Sequence, residues 1–446
     1  MTALTLAFAL AAQPQTVATQ DERPNFVLLF ADDLGYGDLG SYGHPTIKTP
    51  RLDRLAAEGT RLTSFYAEPA CTPSRAALLT GRYSVRSGLG RVIGPDGTNG
   101  IQASEITLAE ALSAKGYQTA AIGKWHLGHA EPRFRPLANG FHRYFGLLYS
   151  NDMIRPWVQT DRPLELWRDE KPIEHPVEQS TLTERYTDEA IKFIEEAGNK
   201  PFMLYVAYTM PHVPISVSSQ FAGRSRAGLY GDVIETIDWS TGRIVDAIER
   251  RGLSARTLVI FTSDNGPWLE MPERMFSGNV VKPWHAGSAG ALRGAKAQTW
   301  EGGVRVPFIA RWPGRIPAGR VDAGIGSLMD LYTTFIRLAG AEVPSDRPID
   351  GVDLSSWLMG RGESPRRHYF YFLQNTLEGA REGRWKLRMA KDSRPNMAST
   401  AVFPELFDLE VDPSERYNRA AEHPDVVSRL RATMEKAARE VTGPGH

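Results

Sequence analysis

The chain has 446 residues, of which 41% are hydrophobic and 23% are charged, a composition typical of a globular protein. Its 52 Lys and Arg side chains balance 52 Asp and Glu side chains, so the formal net charge is zero. Nucleic-acid binding depends on an excess of basic charge, and this balance argues against a general polyanion binder. The single cysteine, Cys71, excludes an internal disulfide framework.

The amino end carries a short apolar run over residues 3–12, followed by a polar stretch. The run has the length of a signal-peptide core and is far shorter than the roughly 20 apolar residues that a membrane-spanning helix needs. No basic residue precedes it in this sequence, so a disordered apolar leader is the alternative. We predict a signal peptide or leader over residues 1–21 and export of the protein to the periplasm or the medium of a bacterial source.

Further along the chain, apolar runs alternate with helical patterns, which is typical of an α/β protein with a mostly parallel sheet. Buried strands are predicted at 25–30, 117–122, 202–208, 258–262 and 308–311. Helices are predicted at 49–59, 108–115, 230–251 and 330–339.

The pattern changes near residue 364, where short alternating runs predict antiparallel strands. An amphipathic closing helix is predicted at 425–441. We therefore expect a main domain over 22–362 and a smaller carboxyl-terminal domain over 363–446.

Polar side chains directly follow two of the predicted strands. Asp32 and Asp33 follow the first strand, and Asp264 and Asn265 follow the fourth. Ligands bind at the carboxyl ends of strands in open parallel sheets. Oxygen-only ligands favour Ca²⁺ or Mg²⁺ over zinc or copper. Either motif alone is explained as well by a helix cap or a turn, but the two together predict a divalent-cation site.

Cys71 precedes a proline-restrained turn, and Arg75 follows it by four residues. This spacing predicts that Cys71 lies at the start of a helix, where the helix dipole and the guanidinium favour an anion. From these residues alone, a low-pKa cysteine nucleophile and a structural cysteine are both open interpretations.

Cations and imidazoles also occur at predicted strand ends and in a glycine-rich loop. They are Lys124, His126, His212 and Lys296. Cations close to an acid-bound metal indicate a site for a tetrahedral anion such as sulfate or phosphate.

The run CTPSR followed by LTGR resembles the signature of the type I sulfatase family, the sequence that a formylglycine-generating enzyme recognises. Other blocks resemble the family in its own order, among them PNFVLLFADDLGYGDLGSYG, IGKWHLG, FMLYVAYTMPHVP, LVIFTSDNGPW and KAQTWEGGVRVPFIARWPG. The segments PHVP, GLYGDVIETIDWS and HAGSAG look most similar to the arylsulfatase A-like branch, which includes N-acetylgalactosamine-6-sulfatase.

The resemblance implies an alkaline-phosphatase-superfamily α/β fold, with a large mostly parallel sheet between helices and a smaller carboxyl-terminal antiparallel sheet with a closing helix. It also implies hydrolysis of a sulfate monoester, on a sulfated carbohydrate and also on aryl sulfates. The nucleophile would be a formylglycine hydrate, and the reaction would pass through a covalent sulfo-enzyme intermediate. The formylglycine-generating enzyme would be a partner of the chain.

Residue roles follow from the same resemblance. Cys71 would become the formylglycine, and Arg75 would hold its hydrate. His126 would accept the proton that expels sulfate, and His212 would assist the leaving alcohol. The residues implied to bind Ca²⁺, or Mg²⁺ in its place, are Asp32, Asp33, Asp264, Asn265 and the modified Cys71. The residues implied to contact substrate are Lys124, Lys296, His212 and Ser150.

Two alternatives remain at this point: a phosphate or phosphonate monoester hydrolase of the same superfamily, and a catalytically inactive carbohydrate-binding relative. Ala295 and Ala297 flank Lys296 where relatives usually carry glycine, and we expect the loop to keep its conformation. The insertion between residues 140 and 183 is expected to shape the substrate pocket. Trp268, Trp284 and His285 would either stack against a sugar or pack within their loop.

Overall fold

The computed structural model describes residues 23–389 and 403–442. The predicted leader lies outside these residues. Within the described ranges, no helix combines the length and the apolar character needed to cross a membrane.

A ten-stranded sheet forms the centre of the protein. Its strands are β1 (Asn25–Ala31), β2 (Thr60–Tyr66), β3 (Gln118–Gly123), β4 (Arg143–Leu147), β5 (Leu166–Arg168), β6 (Lys171–Glu174), β7 (Phe202–Ala207), β8 (Thr257–Ser263), β9 (Arg305–Arg311) and β10 (Arg320–Ser327). They are ordered β10-β2-β9-β8-β1-β7-β3-β4-β5-β6 across the sheet. Eight strands run in one direction, and β5 and β9 run against them.

Helices connect and flank these strands. They are α1 (Pro50–Ala57), α2 (Cys71–Thr80), α3 (Leu108–Ser113), α4 (Leu182–Glu196), α5 (Gly228–Arg250), α6 (Glu301–Val304), α7 (Leu328–Leu338), α8 (Ser355–Leu358) and α9 (Pro424–Thr442).

The burial of the central strand β1 shows that the hydrophobic core lies against both faces of this sheet. All seven of its residues are buried, and it pairs in parallel with β7 on one side and β8 on the other. An uninterrupted apolar strand of this kind is stable only when helices cover both faces of the sheet. The carboxyl ends of β1, β3, β7 and β8 therefore meet at one edge, which presents the loops that follow them.

A second, four-stranded antiparallel sheet follows near the carboxyl end. Its strands are β11 (His368–Leu373), β12 (Thr376–Glu382), β13 (Trp385–Arg388) and β14 (Glu405–Asp408). Helix α9 packs on this sheet through Leu430, which lies with Ala380, Leu387 and Leu406 in one apolar cluster. The Tyr369 hydroxyl donates to the Ala67 carbonyl at 2.7 Å, so the small sheet is joined to the loop before Cys71.

The predicted fold class is confirmed: a mostly parallel sheet between helices, a small antiparallel sheet and a closing helix. Several elements of the large unit were not predicted from the sequence, among them β2, β4, β5, β6, β10 and α4. The strand predicted at 308–311 exists as β9 but runs antiparallel to both of its neighbours.

Candidate active site

Two hydrogen bonds join the chain segments at the carboxyl ends of β1 and β8. Asp33 has a φ of 66°, in the left-handed region, which turns the chain sharply after β1. Its backbone N–H donates to Oδ1 of Asp264 at 3.0 Å. The Asp264 N–H in turn donates to the Ala31 carbonyl at 3.1 Å. The two acidic motifs that the sequence placed at strand ends are therefore in direct contact.

Asn265 lies in the same cluster of oxygen-bearing side chains. Its Nδ2 donates to Oδ1 of Asp33 at 2.7 Å. Its Oδ1 is buried and has no hydrogen-bond partner within the described residues. A buried carbonyl oxygen without a donor is unfavourable unless a cation or another donor satisfies it.

Cys71 is the first residue of α2, as its sequence context predicted. Its Sγ lies 3.6 Å from Oδ1 of Asp32 and 3.2 Å from Nζ of Lys296. Burial raises the pKa of the Cys71 thiol above its usual value, although Lys124 and Lys296 act to lower it. The direction of this shift argues against the interpretation as a low-pKa cysteine.

Each of the three carboxylates lies close to a cation, and Asp32 also lies 3.7 Å from Arg75. Lys124 Nζ lies 2.6 Å from Asp32, Lys296 Nζ lies 2.7 Å from Asp33, and Arg75 Nη2 lies 2.8 Å from Asp264. All six side chains are buried. Such burial of charge is tolerated only because every charge has a partner.

The pKa values of the acids reflect this balance. Burial raises the pKa of Asp32 to about 7 and also raises that of Asp33. Burial also acts to raise the pKa of Asp264, but Arg75 and the two lysines together lower it below its usual value. A further cation at this position would favour the ionised form of all three acids.

His126 presents an unprotonated nitrogen within the site. Its Nε2 lies 2.9 Å from the Ile93 carbonyl, which can only accept, so Nε2 carries the proton. Its Nδ1 is buried and has no partner among the described residues. Burial, with Lys124 and Arg75 nearby, lowers the pKa of His126 well below its usual value. The ring is therefore neutral and has an unprotonated lone pair at Nδ1.

His212 is also oriented by a hydrogen bond to a backbone carbonyl, but through Nδ1 rather than Nε2. Its Nδ1 donates to the Val213 carbonyl at 2.6 Å, and its Nε2 lies 3.6 Å from Oδ2 of Asp33. Burial lowers the pKa of His212 well below its usual value. The Nε2 atom therefore faces the carboxylate cluster.

The remaining predicted residues divide into two groups. Ser150 belongs to the site, because its Oγ accepts from Lys124 Nζ at 3.1 Å. Trp268 also lies at the site, because the centroid of its ring is 5.3 Å from that of His212. Trp284 is 72% exposed and its ring lies beside His285, so these two residues lie at the surface of their loop.

The loop that carries Lys296 adopts a strained turn without glycine. Ala297 has a φ of 64°, a region that favours glycine. Its N–H donates to the Pro69 carbonyl at 2.7 Å, two residues before Cys71. The Lys296 N–H donates to the Pro267 carbonyl at 3.0 Å. These two bonds fix Lys296 between Cys71 and the loop after β8, although residue 297 is alanine rather than glycine.

A buried ion cluster behind this loop was not anticipated from the sequence. Lys386 of β13 donates to the Thr299 carbonyl at 2.8 Å and lies 3.1 Å from Glu301 and 2.7 Å from Glu415. The Glu301 N–H donates to Glu415 at 2.8 Å. The small sheet therefore supports the segment that carries Lys296. The alternating run around Lys386 indicates a strand face, but it does not show that this face is buried.

The buried side chains at the strand ends form a group that could hold a metal ion. Ligand atoms of Asp32, Asp33, Cys71 and His212 all lie within 4.8 Å of one another. The free Oδ1 of Asn265 adds a further oxygen. The carboxylate and amide oxygens in this group are of the type that Ca²⁺ and Mg²⁺ prefer.

The sheet order agrees with the alkaline-phosphatase-like fold that the resemblance implied, and the site lies at the carboxyl edge of that sheet. A family model described as "Sulfatase" matches residues 24–341, and one described as "N-sulphoglucosamine sulphohydrolase, C-terminal" matches residues 295–440. The chain belongs to the sulfatase family, within the branch that resembles arylsulfatase A and N-acetylgalactosamine-6-sulfatase, and it is a sulfuric ester hydrolase.

Individual relatives support this assignment over nearly the whole chain. N-acetylgalactosamine-6-sulfatase of Sus scrofa is 40% identical, covering 92% of this chain and 84% of the relative. Arylsulfatase A of Bos taurus is 39% identical, covering 93% of this chain and 86% of the relative. The crystal structure of the PsFucS1 sulfatase from Pseudoalteromonas sp. superposes with a TM-score of 0.84 at 32% identity, covering 96% of this chain and 93% of that one.

Proposed function

We propose that this enzyme hydrolyses a sulfate monoester on a sulfated carbohydrate, and also aryl sulfates, with Cys71 converted to formylglycine. Asp32, Asp33, Asp264 and Asn265 would hold Ca²⁺, or Mg²⁺ in its place, together with the modified residue 71. The position of Cys71 carries this proposal. Its Sγ lies between Asp32 at 3.6 Å and Lys296 at 3.2 Å, at the amino end of α2.

The charge of the site supports an anionic substrate. Asp32, Asp33 and Asp264 contribute three negative charges, which Lys124, Lys296 and Arg75 cancel. A bound divalent cation would give a net charge of two positive units. Released sulfate carries two negative charges, so the loaded site matches the product that must form within it.

Two groups would supply the reactive chemistry, the formylglycine and the bound cation. A formylglycine hydrate would supply one hydroxyl to attack sulfur and a second whose deprotonation releases sulfate. The bound cation would lower the charge on the sulfuryl oxygens.

The side chains of this chain would bind, orient and move protons. Lys124 and Lys296 would bind the sulfate oxygens, since both ammonium groups lie beside the carboxylates at the strand ends. Ser150 would orient Lys124 through the hydrogen bond between their side chains. Arg75 would fix the hydroxyl on residue 71. His126 would accept the proton that allows sulfate to depart, because its Nδ1 is buried and no group in the described part of the chain donates to it. His212 and Lys296 would contact the leaving oxygen.

The carbohydrate substrate is supported by the name of the pig relative, an N-acetylgalactosamine-6-sulfatase. Maturation by a formylglycine-generating enzyme would precede folding, because Cys71 is only 2% exposed in the folded chain. We further propose that the predicted leader directs export to the periplasm or the medium, where sulfated polysaccharides are accessible.

Parallel assays with p-nitrophenyl sulfate and p-nitrophenyl phosphate test this proposal. We expect kcat/KM for the sulfate to exceed that for the phosphate by at least about a hundredfold, a difference of about 2.7 kcal/mol in transition-state binding. A preference for the phosphate, or for a phosphonate monoester, would overturn it in favour of the rival hydrolase.

A further inference from the structure

Trp268 contacts the two side chains on the leaving-group side of the site. Lys296 Nζ lies 4.7 Å from the centroid of the indole. The His212 ring centroid lies 5.3 Å from that of the indole, tilted by 49°. On another side, Lys296 Nζ donates to Asp33 at 2.7 Å. The ammonium is therefore held between a carboxylate and an aromatic ring.

The backbone around Trp268 leaves this arrangement little freedom. The Lys296 N–H donates to the Pro267 carbonyl at 3.0 Å, and the Gly266 N–H donates to the Gly303 carbonyl at the same distance. A Cβ at position 266 would lie 1.8 Å from the Gly302 carbonyl oxygen, so only glycine allows this close approach. The turn that precedes the indole is thus fixed against the loop that carries Lys296.

We propose that Trp268 is a positioning residue that directs Lys296 and His212 toward the leaving oxygen of the ester. This inference rests on the proposed function, because the leaving oxygen is that of a sulfate ester. It assigns to Trp268 a role in the cleavage of weakly acidic alcohols, the leaving groups of sugar sulfates.

The bond changes explain why the leaving group matters. As the bond from the nucleophilic oxygen to sulfur forms, the bond from sulfur to the ester oxygen breaks. Its electron pair stays on the ester oxygen, which is then stabilised by the Lys296 ammonium or takes a proton from it. A weakly acidic alcohol carries more of this charge and depends more on a well-placed cation. An indole face attracts an ammonium and limits where it can lie.

The test is a series of aryl sulfates whose phenols range from strongly acidic p-nitrophenol to weakly acidic phenol. For Trp268→Ala we expect kcat/KM to fall at most about threefold with p-nitrophenyl sulfate and about thirtyfold with phenyl sulfate. The logarithm of kcat/KM would then depend more steeply on the pKa of the phenol than in the wild-type enzyme. Trp268→Phe retains an aromatic ring, so the slope of this variant should lie between those of the wild-type enzyme and Trp268→Ala.

The matched control is Trp239→Ala on α5. Trp239 is also partly buried and also contacts a ring and a cation, Phe221 at 5.0 Å and Arg243 at 5.4 Å. We expect this variant to keep the wild-type slope, since its neighbours are not site residues.

The outcomes separate the inference from the function on which it rests. A loss that is equal for every leaving group, or a slope change that Trp239→Ala reproduces, overturns the positioning role alone. A wild-type enzyme that cleaves none of these sulfates overturns the proposed function and the inference with it. If Trp268→Ala does not fold, as measured by circular dichroism, the slope of Trp268→Phe decides by the same criterion.

Discussion

Replacing Lys386 with methionine removes the one cation that the buried cluster shares between Glu301 and Glu415. All three side chains are fully buried where the small sheet meets the segment 299–301. Methionine has a similar length and apolar character, so the substitution deletes the charge without leaving a large cavity. The expected result is a large loss of stability.

The magnitude depends on which partners remain. Glu301 keeps the Tyr66 and Tyr371 hydroxyls at 2.6 and 2.8 Å. Glu415 keeps the Glu301 N–H at 2.8 Å but loses its ion pair at 2.7 Å. Removing one partner of a buried ion pair costs about 3–5 kcal/mol. Because Glu301 remains paired, we expect about 3 kcal/mol for Lys386→Met.

Urea unfolding, followed by tryptophan fluorescence and circular dichroism, measures this loss. With a slope of roughly 3 kcal/mol per molar urea, the midpoint should fall by about 1 M. Lys436→Met on α9 is the control, because Lys436 is 72% exposed and its ion pair with Glu440 spans 3.8 Å. Adding Glu415→Gln to Lys386→Met should restore part of the midpoint by removing the unpaired charge. A midpoint unchanged by Lys386→Met would refute the account of the cluster.

Three further predictions concern the site itself. Cys71→Ala should lower sulfate hydrolysis below about 1% of wild type, since the nucleophile is lost, while the urea midpoint stays within error. Removal of divalent cations by a chelator should abolish hydrolysis and lower the urea midpoint, and added Ca²⁺ should restore both, because the carboxylate cluster and the free Asn265 oxygen lose their ligand. Gly266→Ala should reduce kcat/KM about a hundredfold or more, because its Cβ would lie 1.8 Å from the Gly302 carbonyl oxygen and displace the turn after Asp264. Gly94→Ala, whose Cβ meets nothing within 4 Å, is its control.

Each of these predictions can fail independently. Activity above about 1% in Cys71→Ala would mean that residue 71 is not the nucleophile. Full activity after chelation would remove the cation from the mechanism. Wild-type activity in Gly266→Ala would show that the turn tolerates a shift.

The acidic residues at the strand ends could be predicted because they depend only on which residues follow one another along the chain. An apolar run followed at once by acids, as at Asp32 and Asp264, leaves those acids at the edge where parallel strands end. The start of α2 at Cys71 was likewise predictable from the proline and arginine that follow it. The structure brings these segments together, with Asp33 N–H donating to Asp264 at 3.0 Å.

Features that depend on distant pairing could not be predicted. Nothing in the run that forms β9 specifies its direction, and its antiparallel pairing with β8 and β2 depends on the path of the connections. Strand β10 carries two glycines and lies at the sheet edge, so its β pattern is weak. The alternation of Lys386 and Arg388 along β13 would normally mark a solvent face. Here that face is covered in part by Glu301, a residue 85 positions away along the chain.

The mass of the tryptic peptide 62–75, measured together with specific activity, tests the central claim most directly. Co-expression with increasing amounts of a formylglycine-generating enzyme would yield preparations with different matured fractions. The account predicts a peptide about 18 Da lighter than the thiol form, because sulfur and two hydrogens are replaced by one oxygen. Sulfate hydrolysis should rise in proportion to that fraction and extrapolate to zero without it. Full sulfate hydrolysis by a chain whose peptide retains the Cys71 thiol would contradict the account.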